Sequence, residues 1–252
     1  MTQKKAGFAL LFLFLAMTCE EIVASLQKMS NPEYAAGAEH FGIKTKMLGI
    51  SVPQLQEFSK SIGQNHQLAQ ELWACGFHEA RVVACYIEEP ALVTEVQMEQ
   101  WVSDFDNWAI CDHCCSAVFR KTAFAYSKIR DWVLREEEFV RRAAFSLMAI
   151  MAVHDKKSND QTFVELLTVA EKYADDDRNF VKKAINWAIR QIGKRTILLN
   201  EKAIETALRI KAGNSRSGRW IAADALRELQ SEAVFKKLWE KAHPNQNLTA
   251  QV

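Results

Sequence analysis

From Thr18 to Lys241 the chain repeats one device: an amphipathic segment of about ten to sixteen residues, followed by a short polar connection. Apolar residues recur at helical spacing in Glu20–Met29, Pro53–Ile62, Gln67–Ala74, His78–Glu88 and Glu95–Phe105. The series continues through Ala123–Leu134, Glu138–Val153, Gln161–Tyr173, Asn179–Ile192, Lys202–Ile210, Ser217–Leu229 and Ala233–Lys241. Only nine glycines and four prolines punctuate 252 residues, and no Val/Ile/Thr-rich alternating run marks a strand. The chain is therefore expected to be all-α. Connections this short make consecutive helices antiparallel neighbours, which suggests stacked helical hairpins. Trp108/Asp112, Arg142 and Trp187 lie about 30 to 45 positions apart, near the roughly 40-residue period of HEAT-like repeats. The expectation is a curved solenoid whose concave face can cradle an extended partner, with an irregular helical bundle as the alternative.

The repeat domain is expected over 17–242. Thr18 followed by Glu21 is a capping box, so a helix can begin just after Met17. Pro32 behind Ser30, and Pro53 behind Ser51, read as first-turn prolines with a capping hydroxyl. Ahead of Met17, Lys4 and Lys5 precede the apolar run 6–16, which has the pattern of a signal or anchor. The Thr18–Glu21 box favours instead an extension ahead of a start at Met17, in a protein expected to be cytoplasmic. Residues 243–252 read as a polar, disordered tail. The six cysteines lack small-domain disulfide spacing and are expected as reduced thiols.

Charge is unevenly placed. Residues 1–177 carry 17 Lys/Arg against 25 Asp/Glu, and 178–252 carry 15 against 6. The balances of −8 and +9 sum to the net +1 of the whole chain. The basic third points to a polyanionic partner or to a basic solvated surface.

Three stretches hold the candidate site. Read as one helix, Ser103–Arg120 (SDFDNWAICDHCCSAVFR) puts Trp108 and Asp112 one turn apart, with Cys115 and Phe119 extending that face. Ile110, Cys114, Ala117 and Val118 then take the opposite, packed face. In Asn179–Lys194, Phe180, Val181, Ala184, Ile185, Ala188 and Ile192 form the buried stripe. Away from its centre run Lys183, Trp187, Arg190 and Lys194, with Lys182 alongside. An indole within a row of cations suits a phosphate backbone with a base or sugar against the ring, or a tryptophan packed on the next repeat. Arg142 sits in FVRRAAFSLMAI, apolar nearly all round, so its charge needs a partner or an exit. An ion pair with Asp104, Asp106 or Asp112 and a phosphate clamp are both open. Arg216, Arg219 and Lys211 lie in and around the Gly213–Gly218 loop and are further candidates for phosphate contact.

Cys111-Asp-His-Cys-Cys115 offers a helical C-x-x-C without a second half, so no metal is expected. No glycine-rich phosphate loop or nucleophile elbow occurs, and no cofactor is expected.

On FDNWAICD (105–112), VRRAAF (140–145), NFVKKAINWAIR (179–190), RWIAADALREL (219–229) and HEAR (78–81), the chain resembles the AlkD-like DNA alkylation repair family. The likeness runs from about Met17 to Leu238. It implies HEAT-like repeats and a DNA glycosylase that excises cationic N3- or N7-alkylated purines from double-stranded DNA, and the chain is expected to be a monomer. The family's tryptophan, aspartate, arginine and second tryptophan fall on Trp108, Asp112, Arg142 and Trp187. Ala109 departs from the pattern, since many relatives carry an acidic residue there. The alternatives are a non-catalytic DNA-structure binder and a protein-interaction scaffold on the same repeats.

Overall fold

The computed structural model describes residues 17–38, 42, 43, 45 and 47–244. The expectations for 1–16 and for the tail beyond residue 244 lie outside them. The described residues form fourteen α-helices and no strand. The chain divides into two compact units, 1–92 and 93–252.

In the first unit, α1 (Cys19–Lys28) begins at the expected box: the Thr18 N–H donates to Glu21 Oε2 at 2.9 Å, and the Glu21 N–H to Thr18 Oγ1 at 3.3 Å. In α2 (Pro32–Gly37) the cap is Asn31, not Ser30. Its Oδ1 accepts from the Tyr34 N–H at 3.1 Å, because a proline at the first helical position makes its immediate predecessor the cap. In α3 (Val52–Ile62) Pro53 stands in the first turn behind Ser51, as the sequence suggests, and the Ser51 N–H donates to Gln54 Oε1 at 3.2 Å. The α4 helix (His66–Ala74) starts one residue early because Asn65 caps it, and α5 (His78–Ile87) completes the unit. Ile22, Leu26, Leu55, Leu72 and Ile87 are buried among these helices.

The HEAR stretch turns out to anchor a loop. Glu79 is fully buried, and its Oε1 accepts from the N–H groups of Leu48 (2.9 Å) and Gly49 (2.8 Å). Gly49 has φ +80, and a Cβ there would lie 2.0 Å from the Asn31 carbonyl oxygen. Only glycine fits this turn. Arg81 stacks 5.3 Å from the Trp73 ring centroid.

The second unit runs α6 (Glu95–Ser103), α7 (Trp108–Ala117), α8 (Ala125–Trp132), α9 (Glu138–His154), α10 (Asp160–Lys172), α11 (Asn179–Gly193), α12 (Ile197–Ala212), α13 (Arg216–Leu229) and α14 (Glu232–Ala242). Packing follows a repeat: α7 lies on α9, α9 on α11 and α11 on α13, while α8, α10 and α12 alternate with them. Hydrogen bonds between successive repeats span 30, 38 and 35 positions (Arg142 to Asp112, Arg142 to Phe180, Asn186 to Ile221). An irregular bundle has no reason to keep that interval. The α9 helix is the centre, with Phe145, Leu147, Met148 and Ala149 wholly buried. Gly193 lets neighbouring repeats close up, since a Cβ there would meet Leu229 Cδ2 at 2.6 Å and Ala203 Cβ at 2.9 Å.

The single helix expected over 103–120 is broken. Asn107 is wholly buried and its Oδ1 accepts from the N–H groups of Ala109 (3.0 Å) and Ile110 (3.1 Å), which starts α7 at Trp108. The helix ends at Ala117, and Phe119 lies in a following 3-10 turn. Cys115 and Phe119, expected beside Asp112 on an open face, are wholly buried instead. Ile110, Cys114 and Val118 are buried as expected, whereas Ala117 is half-exposed.

Candidate active site

The α7–α9 contact is built by thiols. Cys111 Sγ donates to the Phe139 carbonyl and Cys115 Sγ to the Ala143 carbonyl, each at 3.7 Å. Both side chains are fully buried, and burial pushes the Cys115 thiol well up. These cysteines lock α7 onto α9. Among the described residues no group of three or more potential metal ligands assembles.

That contact brings Asp112 against α9. Arg142 Nε donates to Asp112 Oδ1 at 3.0 Å, and Nη2 to Oδ2 at 2.6 Å. Ser146, one turn along α9, donates its hydroxyl to Oδ1 at 2.7 Å. Arg142 Nη1 donates to the Phe180 carbonyl at 2.7 Å and so ties α11 into the same cluster. All three nitrogens of the guanidinium are therefore committed to the protein, and its side chain is only 8% exposed. Burial works against its charge, but the adjoining carboxylate more than reverses this and raises the Arg142 pKa. The phosphate clamp open in the sequence is not what the structure contains: Arg142 is the partner of Asp112.

Asp112 itself keeps 23% of its side chain exposed. Oδ1 takes two donors and Oδ2 takes one. By the usual inventory of two lone pairs per oxygen, Oδ2 retains one for an incoming donor. Trp108 is half-buried one turn before Asp112. Trp187 is also half-buried, two turns beyond Phe180 on α11. The cluster thus joins Asp112, Arg142, Ser146 and the Phe180 carbonyl directly. The two indoles lie on α7 and α11, the helices that flank α9.

In the expected row of cations on α11, two members are paired with acids. Arg190 pairs with Asp224 (Nη1–Oδ2 3.1 Å) and with Glu228, and Lys194 pairs with Glu228 at 2.6 Å. Their partners face them from α13, within the same stretch RWIAADALREL whose start is basic. Lys183 remains exposed. Lys182 lies 5.6 Å above the ring of Trp220, an indole 43% exposed that stands in RWIAADALREL but is not among the expected site residues. Arg216 and Arg219 are exposed in the first turn of α13, where Arg219 Nη1 also donates to the Asn214 carbonyl at 2.9 Å. Phe180, expected in the buried stripe, is half-exposed with its ring centroid 5.3 Å from that of Phe139, and Asn186 and Ile189 are buried in its place.

Arg141 turns away from its neighbour. It pairs with Asp176 at 2.8 Å beside an open cavity of about 520 Å³, also lined by Glu136, Tyr173 and Arg178. None of the residues expected to act on DNA lines it.

A helical-repeat protein with a carboxylate held open by arginine and serine, and with exposed cations two helices away, is the class that fold and site define. The chain belongs to the DNA alkylation repair enzyme family, whose profile matches residues 22–242. No curated protein matches it. Among solved structures it is similar to one described as "a new family of proteins related to the HEAT-like repeat DNA glycosylases with affinity for branched DNA structures". The TM-score is 0.71 at 18% identity, over 84% of this chain and 96% of that one. A designed armadillo repeat protein in complex with a (KR)4 peptide is a more distant likeness, with TM-score 0.37 at 18% identity over 79% and 87% of the two chains. The expected HEAT-like repeat class and DNA alkylation repair family therefore stand. Among the described residues no helix is long and apolar enough to cross a membrane.

Proposed function

We propose that this chain is a DNA glycosylase that hydrolyses the N-glycosidic bond of cationic N3- or N7-alkylated purines in duplex DNA. The observation that carries the reading is Asp112, fixed by Arg142 and Ser146 yet partly open, one turn from Trp108. An alkylated purine already carries the positive charge of a good leaving group. When the bond from C1′ to the base nitrogen breaks, its electron pair neutralises that charge, so no general acid is needed. What the reaction needs is an anion beside the oxocarbenium-like sugar and a water held for attack at C1′.

In this reading the Oδ2 lone pair of Asp112 takes a hydrogen bond from that water and then its proton. Arg142 orients the carboxylate. Trp108 and Trp187 present ring faces to the cationic nucleotide and its sugar, each contact worth roughly 0.5–2 kcal/mol. Lys182, Lys183, Arg216 and Arg219 hold backbone phosphates, while Arg190 and Lys194 act by fixing α13 against α11. The chain works as a monomer, without a cofactor, in the cytoplasm.

A second reading, a non-catalytic binder of DNA structures, has one observation in its favour. A free carboxylate would repel phosphates and would be out of place in a plain binder, but Asp112 is neutralised by Arg142, which removes that objection. Incubating the purified chain with methylated duplex DNA and assaying free bases separates the two. Release of N7-methylguanine supports the first reading. Salt-sensitive binding without release supports the second.

A further inference from the structure

Cys19 and Cys75 are set apart from the other four thiols. Cys85, Cys111, Cys114 and Cys115 are buried, whereas Cys19 and Cys75 are both partly exposed. Their sulfurs lie 3.1 Å apart although the residues are 56 positions apart in the chain. A disulfide needs about 2.05 Å, so closure asks for a movement of roughly 1 Å. The surroundings can supply it. Cys75 is the C-cap of α4, and the next residue, Gly76, has φ +74 with nothing within 4 Å of its Cβ position. Cys19 is the first residue of α1, a helix that packs on α4 and α5.

We infer that Cys19 and Cys75 form a thiol–disulfide exchange site, which reacts with small-molecule disulfides and closes into a bond clipping α1 to the end of α4. The step balances with oxidised glutathione as the oxidant. The Cys75 thiolate attacks one glutathione sulfur, the S–S bond of the reagent breaks, and one glutathione leaves as its thiolate and takes up a proton. The Cys19 sulfur, losing its proton, then attacks Cys75 Sγ and expels the second glutathione. Two protein thiols are oxidised by two electrons, and one small disulfide is reduced to two thiols.

Chemistry sets the order. Burial pushes the Cys19 thiol up to about 12, helped by the shared hydrogen bond with Cys75 and by the charges of Glu71 and Glu20. Burial thus disfavours Cys19 as the first nucleophile, and Cys75, at the end of α4 beside the unobstructed Gly76, is placed to open the exchange.

The test treats the full chain with oxidised glutathione and maps its peptides under non-reducing conditions. The expected result is a Cys19–Cys75 cross-link and no modification at the four buried cysteines. The melting temperature should rise by roughly 5–10 °C and fall back with dithiothreitol. In Cys19→Ser a glutathione adduct accumulates on Cys75, while Cys75→Ser reacts several-fold more slowly at Cys19. Stable separate adducts on both sulfurs of the parent chain, or no reaction at either, overturn the proposal.

Discussion

Arg142 grips both carboxylate oxygens of Asp112, Nε to Oδ1 at 3.0 Å and Nη2 to Oδ2 at 2.6 Å. One pair therefore joins α7 to α9, and through the Phe180 carbonyl it reaches α11. The arrangement holds the carboxylate at two points and ties three helices together.

Truncating that arginine should show this. Arg142→Ala leaves a carboxylate without its partner, and the expected cost is about 2–4 kcal/mol, below the usual range for a wholly buried pair because Asp112 is part-exposed. Asp112→Asn keeps an acceptor for Ser146 and should cost about 1–3 kcal/mol. Urea unfolding of the two variants checks the order.

Ser146 carries no sequence signal of its own, although its spacing of four from Arg142 places both on one face of α9. Ser146→Ala removes one donor to Oδ1 and frees the carboxylate to rotate. Stability should fall by about 1 kcal/mol. Single-turnover base release should fall by roughly tenfold with DNA affinity unchanged, and Ser146→Thr should restore part of it. A loss of stability with no change in release would mark the serine as purely structural.

The cations should divide into two groups. Lys183→Glu and Arg216→Glu are exposed changes, so they should weaken DNA binding and lower the salt-dependence slope by about one for each phosphate no longer neutralised. Arg190→Ala should act on stability, because Asp224 and Glu228 each lose one of two cationic partners. Binding measured across a salt series, set beside melting temperatures, separates the groups.

Acid should unfold the chain through its paired carboxylates. Burial would raise Asp176, but Arg178 and Arg141 outweigh it and hold the group below its ordinary 3.8. Glu99, against Lys128 and the Trp132 indole, and Glu228, against Lys194 and Arg190, likewise end below their ordinary 4.5 despite burial. A depressed folded-state pKa gives stability that is present above the unfolded value and lost as pH falls through the folded one. Unfolding free energy should therefore hold from about pH 8 to 5 and drop below about pH 4. Asp176→Asn should lower the plateau and flatten the drop, as followed by urea titration at each pH.

Local chemistry made the helices legible: Thr18 with Glu21, Ser51 with Pro53 and the apolar stripe of 179–192 each carry their signal within a few residues. The start of α7 was legible too, because Asn107 stands directly before Trp108, but periodicity across 103–120 masked it. Partners were another matter. Nothing near Arg142 selects Asp112 over Asp104 or Asp106, and nothing near Arg190 points to acids 34 and 38 positions on. Those pairings come from repeat stacking, so the counted surplus of positive charge overstated the cations left open on α11.

In the proposed glycosylase the Asp112 carboxylate acts on the sugar while the rest of the cluster holds it in place. The decisive measurement is single-turnover release of N7-methylguanine from duplex DNA by the parent chain and by Asp112→Asn, at a temperature where both are folded and at concentrations where both are DNA-bound. Release should fall at least a hundredfold in the variant, with DNA affinity kept within a few-fold. Equal release by the two proteins would contradict it.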